Sequence, residues 1–119
     1  AAQLVHVHAV FRVETRHANP LGSLHGGMMA SFCDMLLPMA AHRCAEVGMR
    51  FLPTISLQID YLASVAVGAW VEGEAQLLRS TRTMVFMQGL VRSDGKPAAR
   101  ASGIFKLGPA LEARREAVL

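Results

Sequence analysis

The chain has 119 residues, of which 52% are hydrophobic, and its formal net charge is +3. This length fits one domain covering 1–119, and the hydrophobic content excludes a disordered chain and indicates further burial between subunits. The scattered basic residues argue against a nucleic-acid-binding surface, and Asp34 and Pro38 interrupt the longest apolar run before it reaches membrane-spanning length.

The first predicted elements are a strand and a long helix. Residues 4–13 alternate between apolar and polar side chains, which is typical of a half-buried strand. A loop follows at 19–22. From about Gly26 to Val47 the residues are apolar on nearly every side, which predicts one central helix with Gly48 as its C-cap.

Four further strands are predicted after the helix, because the apolar residues return to a period of two. Their approximate ranges are 55–61, 67–79, 83–92 and 98–107. Asp94-Gly95 is a hairpin-turn signal between the last two. This order predicts an α+β fold in which an antiparallel meander has one face covered by the helix, followed by a short charged tail at 110–119.

The two cysteines, Cys33 and Cys44, are predicted to be free. They lie about 16 Å apart along the predicted helix, which is too far for a disulfide. No Cys/His spacing resembles a zinc site, and we expect no metal or other cofactor. Free thiols and the absence of a signal-peptide pattern favour a cytoplasmic protein.

Asp34 is a lone carboxylate in a strongly apolar segment. No cation lies three or four residues from it, so no helical neighbour can pair with it. It could simply face solvent or accept a bond from a distant backbone amide. The functional alternative is a general base or nucleophile in a partly dry pocket. Pro38 clashes with the Asp34 carbonyl in a regular helix and therefore predicts a kink beside this residue.

Gly26 and Gly27 stand where the helix should begin. They could be ordinary loop glycines, but backbone N–H groups at a helix start can also bind a developing oxyanion. The nearby His25 has an ordinary interpretation as a capping residue and Asn19 as a turn residue. Thr54 is by default an ordinary strand residue.

One set of residues is spaced as in a known family: Asn19-x2-Gly22-x2-His25-Gly26-Gly27, then Asp34 seven residues after Gly27, then Thr54-x6-Tyr61. This pattern resembles the hotdog-fold acyl-CoA thioesterases, in particular the phenylacetate-pathway-type branch. The resemblance covers about residues 5–107. It implies a central helix wrapped by a curved antiparallel sheet of about five strands, and a homodimer, often paired again into a tetramer, with active sites at the dimer interface.

The resemblance also implies roles for the motif residues. Asp34 falls on the catalytic aspartate and Gly26 on the oxyanion amide, contributed by opposite subunits. Asn19 and His25 fall on positions that place the thioester or the attacking water, and Thr54 falls on the position that orients water against the carboxylate. The function implied is hydrolysis of an acyl- or aryl-CoA thioester to a carboxylic acid and CoA.

The CoA phosphates are expected to contact basic residues near the later strands, for which Arg82, Arg92 and Lys96 are candidates. The expected partners are thus acyl-CoA and further copies of the chain, with no nucleic acid and no membrane. Two alternatives remain at this stage: a hotdog protein that binds acyl-CoA without cleaving it, and a hotdog hydratase or dehydratase of acyl thioesters.

Overall fold

The computed structural model describes the backbone of residues 3–111 and the side chains of residues 9–111, so the predicted tail at 110–119 lies outside the described residues from position 112 onward. The described chain contains five strands, a 3-10 turn and one long helix: β1 (Gln3–Arg12), the 3-10 turn Thr15–His17, α1 (Gly26–His42), β2 (Thr54–Tyr61), β3 (Trp70–Ser80), β4 (Met84–Ser93) and β5 (Lys96–Lys106). Among the described residues, no helix combines the length and the apolar character that crossing a bilayer requires.

The strands form one antiparallel sheet in the order β1-β3-β4-β5-β2, and α1 packs against one face of it. This confirms the predicted α+β hotdog architecture. The prediction of a four-strand meander is wrong for β2, which pairs with β5 at the edge instead of with β3. The physical reason is the connection 62–69, which bonds to the loop before α1 (Leu24 N to Val65 O, 2.7 Å) and crosses the end of the sheet.

The helix ends at His42, five residues earlier than predicted. It continues through Pro38 without interruption. Residues 43–47 form a turn in which Cys44 and Val47 are buried, so their apolar character reflects core packing outside the helix. Gly48 has a φ of +66° in the following loop and is not the C-cap. The prediction of free thiols at both cysteines is confirmed, and both are buried.

The helix approaches the sheet closely at three glycines on neighbouring strands, Gly73, Gly89 and Gly103, which we call the glycine seam. A Cβ atom at Gly73 would lie 2.6 Å from a methyl group of Leu36. A Cβ atom at Gly103 would lie 2.9 Å from a methyl group of Leu37. Since these leucines are fully buried, the missing side chains define how deeply α1 sits in the sheet.

Candidate active site

Asp34 and Thr54 form the first part of the site. Asp34 lies in the third turn of α1 and Thr54 is the first residue of β2, and the Thr54 hydroxyl donates a hydrogen bond to Asp34 Oδ1 at 2.7 Å. The carboxylate is exposed in the protomer, so the expected dry pocket is not formed by one chain alone. In the described residues no ion pair involves Asp34, which leaves its second oxygen open to solvent.

The start of α1 forms the second part. His25 is its N-cap: His25 Nδ1 accepts a bond from the Gly27 N–H at 2.9 Å, which confirms the ordinary interpretation as a capping residue. Because Nδ1 is an acceptor, the neutral ring carries its proton on Nε2. The N–H groups of Met28 and Met29 both donate to the His25 carbonyl. The N–H of Gly26 has no acceptor within the described part of the chain.

Asn19 organises the loop before the helix, as a turn residue would. Its Oδ1 accepts bonds from the N–H groups of Leu21 and Ser23, and its Nδ2 donates to Ser23 Oγ at 2.9 Å. The amide is therefore used mainly to shape its own loop. One Nδ2 hydrogen is not taken up by these bonds.

An open cleft of about 420 Å³ lies at this end of the helix, and we call it the amide cleft. Asn19, Gly26 and Tyr61 line it together with the segment 62–65. The structure thus brings two of the predicted residues together with one that had no assigned role. Tyr61 ends β2, and its hydroxyl donates to the Gly26 carbonyl at 2.6 Å. In the sequence, Tyr61 was marked only by its place at the end of the Thr54-x6-Tyr61 spacing.

Gly26 and Asp34 do not meet within one protomer. They are eight positions apart on α1, which corresponds to about 12 Å along the helix axis. Each lies beside a different end of β2, Gly26 next to Tyr61 and Asp34 next to Thr54. One carbonyl group cannot contact both sites of the same chain.

The outer side of α1 carries exposed methionines. Met28, Met35 and Met39 line a groove of about 560 Å³ between α1 and β1, whose inner wall includes Phe11 and Phe32. We call it the methionine groove. Flexible thioether side chains of this kind adapt to apolar groups of different shape.

The three candidate phosphate contacts do not form one cluster. Arg92 is paired with Glu74 at 2.7 Å. Arg82 lies in the turn between β3 and β4, and Lys96 follows the turn between β4 and β5, so the length of β4, about 30 Å, separates them. Arg82 and Lys96 are both exposed.

The titration of Cys33 differs from that of an ordinary thiol. Burial raises the pKa of Cys33 to about 11, and the negative charge of the adjacent Asp34 adds to this effect. A thiol with this pKa is protonated at neutral pH and is not a nucleophile. Among the side chains described, those of residues 9–111, no group of three or more His, Cys, Asp or Glu residues could hold a metal ion.

Comparison with known proteins relates this chain to thioesterases. A family model described as the thioesterase superfamily matches residues 21–99. Mouse acyl-coenzyme A thioesterase 13 is 32% identical over 75 residues, which are 63% of this chain and 52% of the mouse protein. The chain therefore spans about half the length of that relative.

Solved structures show the same fold. Zebrafish thioesterase superfamily member 2 aligns with a TM-score of 0.79 and 28% identity, covering 91% of this chain and 78% of the zebrafish chain. A Thermus thermophilus thioesterase complexed with coenzyme A and zinc aligns with a TM-score of 0.72 and 24% identity, covering 92% of this chain and 89% of the other. At 24% identity, the second likeness concerns the fold alone.

Proposed function

Because this chain belongs to the thioesterase superfamily, we propose that it hydrolyses an acyl-CoA or aryl-CoA thioester to a carboxylic acid and free CoA. The observation that carries the proposal is an exposed aspartate, Asp34, whose carboxylate is oriented by the Thr54 hydroxyl. A general base needs this combination of a fixed carboxylate and an open side for water. The name of the mouse relative supports CoA as the carrier of the thioester.

The active form in this proposal is a homodimer that pairs through β2, with a tetramer as a further assembly of the same dimers. Strand β2 is an edge of the sheet, and Ile55 on it is 54% exposed. An unpaired edge of this kind is suited to pairing with the same strand of a second copy. Antiparallel pairing would place the Tyr61 end of one β2 opposite the Thr54 end of the other. Gly26 of one subunit then faces Asp34 of its partner.

The reaction follows from these positions. The free N–H of Gly26 donates to the thioester carbonyl oxygen and stabilises the negative charge that develops there. Asp34 of the other subunit removes a proton from a water molecule held against Thr54, and the water oxygen attacks the carbonyl carbon. Collapse of the tetrahedral intermediate breaks the C–S bond and releases the CoA thiolate, which takes up a proton. Asn19, which lines the amide cleft, and His25, the N-cap residue before Gly26, place the reactants.

The direct alternative for Asp34 is nucleophilic attack to form an anhydride. A single turnover in ¹⁸O-labelled water tests the base role. The base mechanism puts one labelled oxygen into the product acid and leaves the protein unlabelled. Label found in the peptide that contains Asp34 would overturn the base role and support the anhydride.

Basic residues near the two ends of β4 would bind the CoA phosphates. The methionine groove does not suit the acyl group, because it lies beside β1, at the opposite edge of the sheet from β2 and Thr54. For the phosphates, Arg82 and Lys96 are better candidates than Arg92, whose charge is already paired with Glu74. In a dimer with antiparallel β2 strands, Arg82 of one subunit and Lys96 of the other lie at the same end of the assembly.

The test is release of free thiol from a panel of aryl-, short-chain and medium-chain acyl-CoAs. Asp34→Asn should lower turnover by about 10²- to 10⁴-fold while the oligomer persists. Binding of acyl-CoA without thiol release by the wild-type protein would favour the non-catalytic alternative. Loss of the conjugated absorbance of an enoyl-CoA without release of free thiol would favour a hydratase.

A further inference from the structure

The backbone on both sides of Gly26 is held by hydrogen bonds, and one of the donors is Tyr61. The tyrosine hydroxyl donates to the Gly26 carbonyl at 2.6 Å. The ring also covers the glycine, since a Cβ atom at Gly26 would lie 3.5 Å from the hydroxyl oxygen and 3.6 Å from Cζ. Tyr61 is nevertheless 56% exposed and is not part of the buried core.

The neighbouring backbone groups are restrained as well. The His25 N–H donates to the His17 carbonyl at 2.8 Å, and the His25 carbonyl accepts two bonds from the first turn of α1. A glycine can rotate its flanking peptide planes more freely than other residues. With the His25 groups bound on one side and the Gly26 carbonyl bound on the other, the direction of the Gly26 N–H is set.

A continuous chain of hydrogen bonds also starts at Tyr61. Its hydroxyl donates to the Gly26 carbonyl, and the N–H of the same peptide group, which belongs to Gly27, donates to His25 Nδ1. Bonds in such a chain polarise one another. The chain ends in the His25 ring, whose remaining proton is on Nε2.

We propose that Tyr61 is a positioning residue for hydrolysis. By binding the Gly26 carbonyl, it fixes the backbone at Gly26 so that the free N–H of this residue points at the thioester carbonyl oxygen. The inference rests on the proposed function, because it assigns Tyr61 to the oxyanion donor of that reaction. Tyr61 does not contact the reacting atoms itself. Its effect passes through the backbone of Gly26 and the ring of His25.

Tyr61→Phe tests this proposal because it removes the hydroxyl and keeps the ring. We expect kcat to fall about tenfold with KM within twofold of wild type, since a misdirected donor weakens binding of the transition state more than of the substrate. Thermal stability should be unchanged. The matched control is Ser80→Ala, which removes a hydroxyl bonded to Glu46 near the other end of α1 and should leave kcat unchanged.

A spectroscopic measurement separates positioning from a general structural role. In the Asp34→Asn background, the infrared carbonyl stretch of a bound ¹³C-labelled acyl-CoA reports the hydrogen bond from Gly26. Adding Tyr61→Phe should move this band toward its value in free acyl-CoA, whereas a structural role would weaken binding and leave the band of the bound fraction in place.

The outcomes distinguish the two proposals. If wild-type protein hydrolyses acyl-CoA and Tyr61→Phe retains full kcat, or shifts no carbonyl band, the positioning role is overturned and the thioesterase function stands. If the wild-type protein releases no thiol from any acyl-CoA, the proposed function fails, and the role of Tyr61 fails with it.

Discussion

Thr54 and Asp34 are twenty residues apart in the sequence, yet the threonine hydroxyl lies 2.7 Å from the aspartate carboxylate. The bond joins the edge strand β2 to the middle of α1. It restricts the rotation of an exposed carboxylate that would otherwise be free to turn. Since the donor is itself exposed, the pair can share a water molecule with a bound thioester.

Removal of the Thr54 hydroxyl should therefore slow turnover without unfolding the protein. We expect Thr54→Val to lower kcat about 10- to 100-fold, as for loss of a hydrogen bond to a charged group. Thr54→Ser keeps the hydroxyl and should stay within a few-fold of wild type. Steady-state kinetics on both variants checks this, and equal rates for Thr54→Val and Thr54→Ser would contradict it.

The amide of Gly26 can be deleted almost alone by Gly26→Pro. Proline is favoured in the first turn of a helix, and His25 has φ −63° and ψ 136°, a conformation that suits the residue before a proline. Loss of the oxyanion donor should lower kcat about 10²- to 10³-fold. The control Gly26→Ala keeps the N–H, and its Cβ would be in ordinary contact with Tyr61. Comparable kcat values for the two variants would exclude the amide as the donor.

Mixing two inactive variants tests whether the site is shared between subunits. An Asp34→Ala protomer still supplies Gly26, and a Gly26→Pro protomer still supplies Asp34, so each mixed dimer contains one intact site. Random re-pairing should restore about a quarter of wild-type activity, because half of the dimers are mixed and half of their sites are intact. Absence of any recovery after confirmed subunit exchange would place the whole site within one chain.

The buried thiol of Cys33 should make stability fall at alkaline pH. In the unfolded chain the thiol ionises near its usual value of 9.0, whereas in the folded protein its raised pKa of about 11 keeps it protonated. The folded state then binds more protons, so its stability decreases as pH rises from 9 to 11, by about 2 kcal/mol. At about pH 8 and below, the thiol has almost no effect, because it is protonated in both states.

Urea unfolding of wild type and Cys33→Ala, each at pH 8 and pH 11, measures this contribution. The variant has no thiol at this position and should lose less stability across the interval. Parallel losses in the two proteins would show that the Cys33 thiol ionises alike in the folded and unfolded states.

The glycine seam should not tolerate even a methyl group. At Gly89 an added Cβ would lie 2.9 Å from the backbone oxygen of Glu74 and 3.0 Å from a methyl group of Leu37. Gly89→Ala should destabilise the protein by about 1–3 kcal/mol, as overpacked cores are. Ser102→Ala, on the exposed face of β5, is the control and should change the unfolding free energy by less than about 0.5 kcal/mol.

Much of the fold follows from local patterns in the sequence. The alternation of apolar residues predicts all five strands, and Asp94-Gly95 predicts the hairpin turn, where both residues have positive φ. The place of β2 at the edge could not be predicted, because pairing with β5 depends on how the connection 62–69 crosses the sheet. The predicted end of α1 lies too late in the sequence, because the apolar residues after His42 are buried in a turn and not in the helix.

The sequence predicted which residues belong to the candidate site better than it predicted how they are arranged. Asp34 was expected in a dry pocket because its neighbours are apolar, but the apolar residues around it serve two different faces. Leu36 and Leu37 pack against the sheet, while Met35 is 53% exposed on the outer side. Sequence periodicity cannot separate an apolar face that packs in the core from an apolar face that the chain leaves exposed. The contact of Tyr61 with Gly26 likewise depends on tertiary structure.

The glycine seam also has a consequence for changing the substrate range of this protein. Because Gly73, Gly89 and Gly103 leave no space between helix and sheet, α1 can pack at only one distance from the sheet. The packing of the core therefore sets the position of the site residues on α1. Residues 62–64 line the amide cleft and are exposed. A library that varies them can therefore change what the protein accepts, while the seam holds α1, and with it Gly26 and Asp34, in place.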